Sequence, residues 1–223
     1  MRVLLRFLIV TLAVGACPTA LDAQGDQTLF LVRYIEAKPA AEGQVAMLLK
    51  QLADASRAEG PVRFEVLQSV THANQFLALE VWKDQRALDG HAAAAHTRQF
   101  GERVAPLLLA PVDDRMCVAT TAAPARAGGT MYVVTHVDVP PVSRDAVLPA
   151  LQTLADRSRS EPGNARFDVV YQKERTNHFT VIGVWADQRS DAGHQTAPHT
   201  LSFRTTVGPM LGALYDQRRY KPL

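Results

Sequence analysis

The second half of this 223-residue chain repeats the first half. Residues 63–108 align without a gap to residues 166–211 at an offset of 103, and about 19 of these 46 positions are identical. Upstream of Arg63 an offset of 102 fits better and pairs Pro39 with Pro141. Two copies are too few for a solenoid, which needs about three or more stacked units. We therefore predict two like domains, residues 28–118 and 130–223, joined by a small-residue linker at residues 119–129.

Each copy carries the same order of secondary-structure signals. Residues 29–37 are β-rich, and Pro39 suits the first residue of a helix in which apolar residues such as Val45 and Leu49 recur at helical spacing. The remaining signals predict strands at 62–70, 76–82 and 115–118 and a helical region at 84–109, and residues 215–220 match the last strand. The order β-α-β-β-α-β predicts an α+β fold of two ferredoxin-like domains.

The third strand of each copy is apolar on both faces. Its sequence is FLALEVW at residues 76–82 and FTVIGVW at residues 179–185. A sheet that packs helices on one face and meets water on the other should instead alternate apolar and polar residues. The sister repeat is the obvious cover for the second face, so we expect two sheets facing each other with the helices outside.

The amino terminus has the pattern of an export signal. Arg2 and Arg6 precede an apolar stretch at residues 7–14, and small residues follow up to Ala23. This pattern predicts a signal peptide at residues 1–23 and a periplasmic or secreted protein. A second interpretation takes Cys17 as the lipid-bearing residue of a bacterial lipoprotein, and a third leaves the segment as an uncleaved anchor. No later segment is long and apolar enough for a membrane span.

Composition excludes several classes of function. The net charge of +2 is too small for a nucleic-acid-binding protein or a polybasic membrane binder. Apolar residues make up 47% and charged residues 21%, which indicates a globular protein rather than a disordered one. The two cysteines can form neither a disulfide framework nor a cysteine zinc site. Seven histidines leave histidine chemistry open.

One motif, VW-x-D-Q-R-x3-G-H-x4-H-T-x2-F, occurs at residues 81–100 and again at 184–203. It resembles the antibiotic biosynthesis monooxygenase family, and the glutamates at Glu59 and Glu161 resemble that family's turn before the second strand. The resemblance covers both copies and implies a dimeric α+β barrel, formed here within one chain. It also implies oxidation of electron-rich aromatics such as quinols or anthrones, by dioxygen and without metal or flavin. Other members of the family degrade haem or process signalling molecules.

The motif supplies the candidate site residues. A phenol or hydroquinone reacts with dioxygen once it is deprotonated, and a histidine suits that proton transfer because its pKa lies near neutrality. We therefore expect His91 and His194 to be the catalytic bases. Stacking and apolar contact favour aromatic residues as walls of the pocket, and a second histidine could bond a substrate oxygen. The candidate substrate-binding residues are Trp82, His96, Phe100, Trp185, His199 and Phe203.

Each of these residues also has a purely structural interpretation. The tryptophans and phenylalanines fit a hydrophobic core, and the histidines could simply bond a backbone carbonyl. Five residues along a helix turn through about 140° around its axis, so His91 and His96 should point apart. Because no third ligand lies nearby in the sequence and the HExxH pattern is absent, we expect no metal. The family resemblance implies that there is no cofactor. Glu80 aligns with Gly183, which predicts that the two pockets are not equivalent.

The sequence thus predicts an exported, cofactor-independent monooxygenase that oxidises a quinol-like or phenolic small molecule with dioxygen. The alternative is an exported, non-catalytic binding module for an aromatic or haem-like ligand. The first strands lack the asparagine that the haem-degrading branch of the family carries, which argues against haem cleavage. The expected partners are a small aromatic substrate and dioxygen, with no nucleic acid, and further association into a homo-oligomer is left open.

Overall fold

The computed structural model describes residues 27–122 and 129–223. The predicted signal peptide, Cys17 and residues 123–128 of the predicted linker lie outside these ranges. None of the helices in the described ranges combines the length and hydrophobicity that crossing a membrane requires.

Both repeats fold as β-α-β-β-α-α-β. The elements of the first repeat are β1 (Leu29–Glu36), α1 (Glu42–Ser56), β2 (Arg63–Ser69), β3 (Gln75–Trp82), α2 (Gln85–Ala93), α3 (Ala95–Val104) and β4 (Asp113–Thr121). Those of the second are β5 (Met131–Asp138), α4 (Arg144–Ser158), β6 (Asn164–Gln172), β7 (His178–Trp185), α5 (Gln188–Thr196), α6 (Pro198–Val207) and β8 (Asp216–Pro222). Short 3₁₀ helices lie at Arg57–Glu59, Ala105–Leu107, Pro141–Ser143 and Gly208–Met210.

Three boundaries differ from the sequence prediction. Helix α1 begins at Glu42 rather than at Pro39, because Ala40 adopts a left-handed conformation with φ of 67°. The predicted helical region at 84–109 is divided in two at Ala94, whose extended backbone (ψ of 146°) ends α2. Strand β4 continues to Thr121, into the predicted linker, because it pairs with β6 of the second repeat.

The eight strands close into one barrel. Their order is β1-β3-β2-β8-β5-β7-β6-β4, and β4 returns to β1. The repeats are joined twice, by β2 with β8 and by β4 with β6, and all of these pairs are antiparallel. The prediction of an intramolecular dimeric α+β barrel is therefore confirmed.

Barrel closure explains why strand β3 is apolar on both faces. Leu77, Leu79 and Val81 point into the barrel and pack in a core to which both repeats contribute. Phe76 packs against helices α1 and α3 on the outside, and Trp82 packs against α2. Each face of the strand is thus covered by a different layer, as its sequence predicts.

Two charged pairs cross between the repeats at one end of the barrel. Arg63 Nη1 lies 3.3 Å from a carboxylate oxygen of Asp168, and Arg166 makes two bonds of 2.9 and 2.7 Å to the carboxylate of Glu65. Glu65 and Asp168 are equivalent positions, as are Arg63 and Arg166, so each arginine binds the acid of the other repeat. These pairs link β2 and β6, which are not neighbours in the sheet.

Nearer the other end, equivalent residues of the two repeats meet each other. Tyr34 and His136 occupy the same position in β1 and β5, and the Tyr34 hydroxyl lies 2.8 Å from His136 Nε2. Burial, together with the nearby Arg115, lowers the pKa of His136 to about 4. The imidazole is therefore neutral in the folded protein at neutral pH.

Removing the buried arginine of the crossing pairs should destabilise the barrel. Arg166→Ala leaves the buried Asp168 and the Glu65 carboxylate with less compensation, so we expect a loss of about 3 kcal/mol in the free energy of unfolding. The control Arg57→Ala removes an ion pair whose arginine is 80% exposed and should change stability by less than about 0.5 kcal/mol. Urea unfolding measures both, and equal losses would contradict the prediction.

His136 should make stability depend on pH below neutrality. An unfolded histidine takes up its proton near pH 6.5, whereas the folded pKa is about 4. The unfolded state therefore binds more protons between these values, and the free energy of unfolding should fall as the pH is lowered through them. In urea titrations at several pH values, His136→Gln should reduce this slope, and His72→Gln, which changes an exposed histidine, should not.

Candidate functional site

In the first repeat, three local features of the backbone bring Glu59, His91 and His96 together. Asp84 caps helix α2, because its side chain accepts a bond of 2.7 Å from the backbone N–H of Ala87. The break at Ala94 then redirects the chain, so that α3 starts at a new angle. Gly60, with φ of 71°, ends the 3₁₀ helix at Glu59 in a left-handed conformation that favours glycine.

In the first repeat, Glu59 lies between His91 and His96. His91 Nδ1 is 2.7 Å from Glu59 Oε2, and His96 Nε2 is 3.4 Å from Glu59 Oε1. The His91 ring stacks on Trp82 with their centroids 4.7 Å apart, and its side chain is only 1% exposed. Glu59 and His96 are partly exposed, so the cluster reaches from the core to the surface.

The second repeat has the same cluster. His194 Nδ1 is 2.6 Å and His199 Nε2 is 2.8 Å from the same oxygen, Glu161 Oε1. The centroids of His194 and Trp185 are again 4.7 Å apart. Burial lowers the pKa of His194, and the carboxylate of Glu161 opposes this shift.

The expectation that the two histidines of a repeat point apart is wrong. It assumed one continuous helix, whereas the extended residues Ala94 and Ala197 place the histidines on separate helices. In each repeat one nitrogen of each histidine and one carboxylate oxygen lie within 4.8 Å of one another. The third group of each cluster, Glu59 or Glu161, was noted in the sequence only as part of a turn.

Glu80 distinguishes the first repeat from the second. This fully buried carboxylate accepts a bond of 3.0 Å from Trp82 Nε1 and lies 3.4 Å from Arg33 Nη1 and 3.5 Å from His91 Nε2. Burial raises the pKa of Glu80, and the charges of Arg33 and His91 act against that rise.

Gly183 replaces Glu80 in the second repeat. Among the described residues Trp185 Nε1 has no hydrogen-bond partner, in contrast to the indole of Trp82. His194, Trp185 and Gly183 instead border a cavity of about 20 Å³. That volume is close to the space of a single water molecule.

The first repeat has a large cleft between α3 and the sheet. Its volume is about 570 Å³, within the range of small-molecule sites. Phe100 and Thr97 lie on its helix side, and Arg33, bonded to Asp114 at 2.7 and 3.0 Å, supplies charge on its sheet side. The other lining residues are mainly apolar: Gly101, Val104, Ala105, Leu108, Leu109, Ala110, Pro111 and Val112.

The matching cleft of the second repeat is smaller, and its charged lining residue is Arg204 on the helix rather than an ion pair on the sheet side. Its volume is about 270 Å³, and Phe203 and Tyr215 line it. Tyr215 stands where the first repeat has the smaller Val112. At the positions of Arg33 and Asp114 the second repeat has Thr135 and Gln217, which share a neutral bond of 3.2 Å. The two pockets therefore differ in size and in charge.

The predicted site residues fall into three groups. Phe100 and Phe203 line the two clefts. Trp82 and Trp185 are buried against the first histidine of each cluster. The histidines His91, His96, His194 and His199 form the clusters with glutamate. His91 connects to the larger cleft through Glu80 and Arg33, and also through Thr97, whose hydroxyl lies 3.4 Å from His91 Nδ1.

Comparison with known proteins agrees with this architecture. A model of the antibiotic biosynthesis monooxygenase family matches residues 28–103 and 130–206, one match in each repeat. The Bacillus subtilis (strain 168) protein named "Putative monooxygenase YcnE" is 34% identical over 86 residues, which cover 38% of this chain and 90% of that protein. The Synechocystis protein sll1783, which is uncharacterised, is 28% identical over 118 residues, 51% of this chain and 80% of that protein.

Two solved structures share the whole barrel. A "putative monooxygenase" of Fusobacterium nucleatum superposes with a TM-score of 0.81 at 14% identity, covering 89% of this chain and 93% of that chain. An "anthrone oxidase-like protein" superposes with a TM-score of 0.69 at 16% identity, covering 89% and 92%. At such low identity the likeness shows the fold alone.

The second repeat should not accept a side chain at Gly183 without cost. A Cβ there would lie 2.9 Å from Trp185 Nε1 and 3.4 Å from the Phe167 ring, both in the buried core. We expect Gly183→Ala to lower the free energy of unfolding by about 1–3 kcal/mol and to change tryptophan fluorescence.

Gly193→Ala is the matched control. Its Cβ would meet nothing within 4 Å on helix α5, so stability should hold or rise by up to about 1 kcal/mol. Equal behaviour of the two variants in urea unfolding would contradict the expected clash at Gly183.

Proposed function

Because the chain belongs to the antibiotic biosynthesis monooxygenase family, we propose that it is an exported monooxygenase that oxidises a phenolic or quinol-like small molecule with dioxygen. One observation carries the proposal. In the first repeat an apolar cleft of about 570 Å³ adjoins Arg33, which connects through Glu80 to the buried His91. Export rests on the sequence of residues 1–23 alone.

The cleft suits a substituted aromatic ring. Its lining is predominantly apolar, and Phe100 offers a face for stacking or edge contact with a ring. Arg33 is its cationic group. Asp114, which also lines the cleft, already accepts two of its bonds, so Arg33 acts on a phenolate oxygen through its remaining N–H groups. Arg33 would therefore both bind the substrate and stabilise its deprotonated form.

A carboxylate behind Arg33 can take up the phenol proton, and we propose that this proton passes beside Arg33 by way of water, because a guanidinium keeps its own proton. Glu80 lies between Arg33 and His91, with its carboxylate oxygens 3.4 Å and 3.5 Å from their nitrogens. Since burial raises the pKa of Glu80, this carboxylate accepts a proton more readily than an exposed one. Glu80 is then the proton acceptor, and His91 is a positioning residue that faces Glu80 through Nε2, while Glu59 at Nδ1 orients the ring.

The reaction needs no external reductant. The deprotonated ring transfers electrons to dioxygen, one oxygen atom enters the ring as a new hydroxyl group, and the other leaves as water with two hydrogens from the substrate. For a hydroquinone the balance is hydroquinone plus dioxygen giving hydroxyquinone plus water. We propose that the first repeat performs this reaction, since the second repeat lacks the counterparts of Arg33 and Glu80.

Oxygen uptake by the purified mature protein tests this assignment. With a panel of hydroquinones and dihydroxynaphthalenes in chelator-treated buffer, we expect turnover above the uncatalysed rate. His91→Gln and Glu80→Gln should reduce kcat by about 10²-fold, the scale of general-base catalysis. His194→Gln, the equivalent change in the second repeat, should retain more than half of the wild-type kcat.

Two outcomes would overturn parts of the proposal. If His194→Gln lowers kcat as much as His91→Gln, the second repeat is also active and the division between repeats is wrong. If no substrate in the panel is consumed faster than without protein, catalysis itself is contradicted. Ring binding in the cleft without turnover, detected by quenching of tryptophan fluorescence, would then favour the non-catalytic binding module for an aromatic or haem-like ligand.

A further inference from the structure

Each glutamate–histidine cluster brings together three groups that can bind a metal ion, and the proposed oxidation does not require all three. Each presents two imidazole nitrogens and one carboxylate oxygen, and the three atoms lie within 4.8 Å of one another. Imidazole and carboxylate together suit divalent first-row metals such as zinc, copper, nickel or iron. We propose that Glu59, His91 and His96 bind one divalent transition-metal ion, and that Glu161, His194 and His199 bind a second one more weakly.

The protons of His91 give the first argument. Its Nδ1 faces the carboxylate of Glu59 at 2.7 Å, and its Nε2 faces the carboxylate of Glu80 at 3.5 Å. A neutral imidazole has one N–H, so one of its nitrogens must turn a lone pair toward a carboxylate, which is repulsive. A cation held between Nδ1 and Glu59 turns that repulsion into two coordinate bonds, while Nε2 keeps its proton for Glu80.

His96 gives the second argument. A protonated His91 would satisfy both carboxylates by itself and would need no further nitrogen at Glu59. The structure nevertheless brings Nε2 of His96 to 3.4 Å from Glu59 Oε1, and also to 3.4 Å from the Ser56 hydroxyl, so that the three donor atoms lie within 4.8 Å of one another. Three donors around one point are what a metal requires. The partial exposure of Glu59 and His96, with side chains 23% and 28% exposed, leaves room for water as the remaining ligand.

Glu80 makes the first site the stronger one. A histidine that binds a metal through one nitrogen commonly donates its other N–H to a carboxylate, which fixes the ring and increases its basicity. Glu80 is placed for this role, and Trp82 Nε1 holds it at 3.0 Å. In the second repeat Gly183 stands at this position, so His194 lacks that support. Loss of such a partner typically weakens metal binding by about 10–100-fold.

The ligands of the first proposed metal site do not line the substrate cleft, and the two are adjacent at Thr97, whose hydroxyl lies 3.4 Å from His91 Nδ1. Thr97 and Phe100 line the cleft, whereas the three ligands of the first site are not among its lining residues. The ligands come from the 3₁₀ helix Arg57–Glu59, from α2 and from α3, so a bound metal would cross-link three segments that no disulfide connects. Metal binding should therefore raise the thermal unfolding temperature.

Titration of tag-free, chelator-stripped protein with Co²⁺, followed by visible absorption, tests the proposal. We expect two ions per chain, one bound about 10–100-fold more tightly than the other. Glu59→Gln and His96→Gln should abolish the tight site and leave the weak one, and His199→Gln should do the reverse. Glu80→Gln should keep the stoichiometry of two but weaken the tight site by about 10–100-fold.

His72→Gln, which changes an exposed histidine outside both clusters, is the control and should bind Co²⁺ like the wild type. His96 is partly exposed, so His96→Gln should fold normally, which circular dichroism checks. Binding of less than one ion per chain at micromolar Co²⁺, or binding that survives both Glu59→Gln and His96→Gln, would show that the clusters are only hydrogen-bonded. Because this assay contains no substrate, its failure can be told apart from a failure of the proposed oxygenase activity.

Discussion

The inner faces of the two four-stranded sheets are apolar, and each is covered by the other. Residues such as Leu77 in the first repeat and Ile182 in the second can leave water only because β2 pairs with β8 and β4 pairs with β6. Closure frees the outer faces for helices, and the clefts and histidine clusters are formed there. The site chemistry therefore depends on a contact between the repeats that lies on the opposite side of the sheets.

The fold could be predicted from the sequence because its signals are local and occur twice. Alternation, helical spacing and the two-sided apolar strands indicate the layers, and duplication indicates what covers them. Boundaries were less predictable where tertiary pairing decides them. Strand β4 continues to Thr121 since β6 is available as a partner, and Pro39 does not begin α1 since Ala40 takes a left-handed conformation.

The candidate site was predictable in part. The motif identifies the histidines, but their convergence depends on the backbone break at Ala94, where no proline or glycine marks the first repeat. The second repeat has Pro198 immediately after Ala197, and a proline disfavours helical conformation in the residue before it. Glu80 could have been recognised as a candidate functional residue, because it is the one charged residue in the apolar sequence FLALEVW at residues 76–82. Arg33 gave no comparable signal, because its role depends on partners in β3 and β4.

The contact between Tyr34 and His136 has a consequence for how such a barrel can change. In a barrel assembled from two identical chains, the residue at this position would meet its own copy across the symmetry axis. An unlike pair such as Tyr34 with His136, joined by a hydrogen bond of 2.8 Å, cannot form between two identical chains, because both chains would carry the same residue at this position. Fusion into one chain removes that restriction. Each half can then accumulate its own substitutions, and the two clefts of this chain differ accordingly in volume and in lining residues.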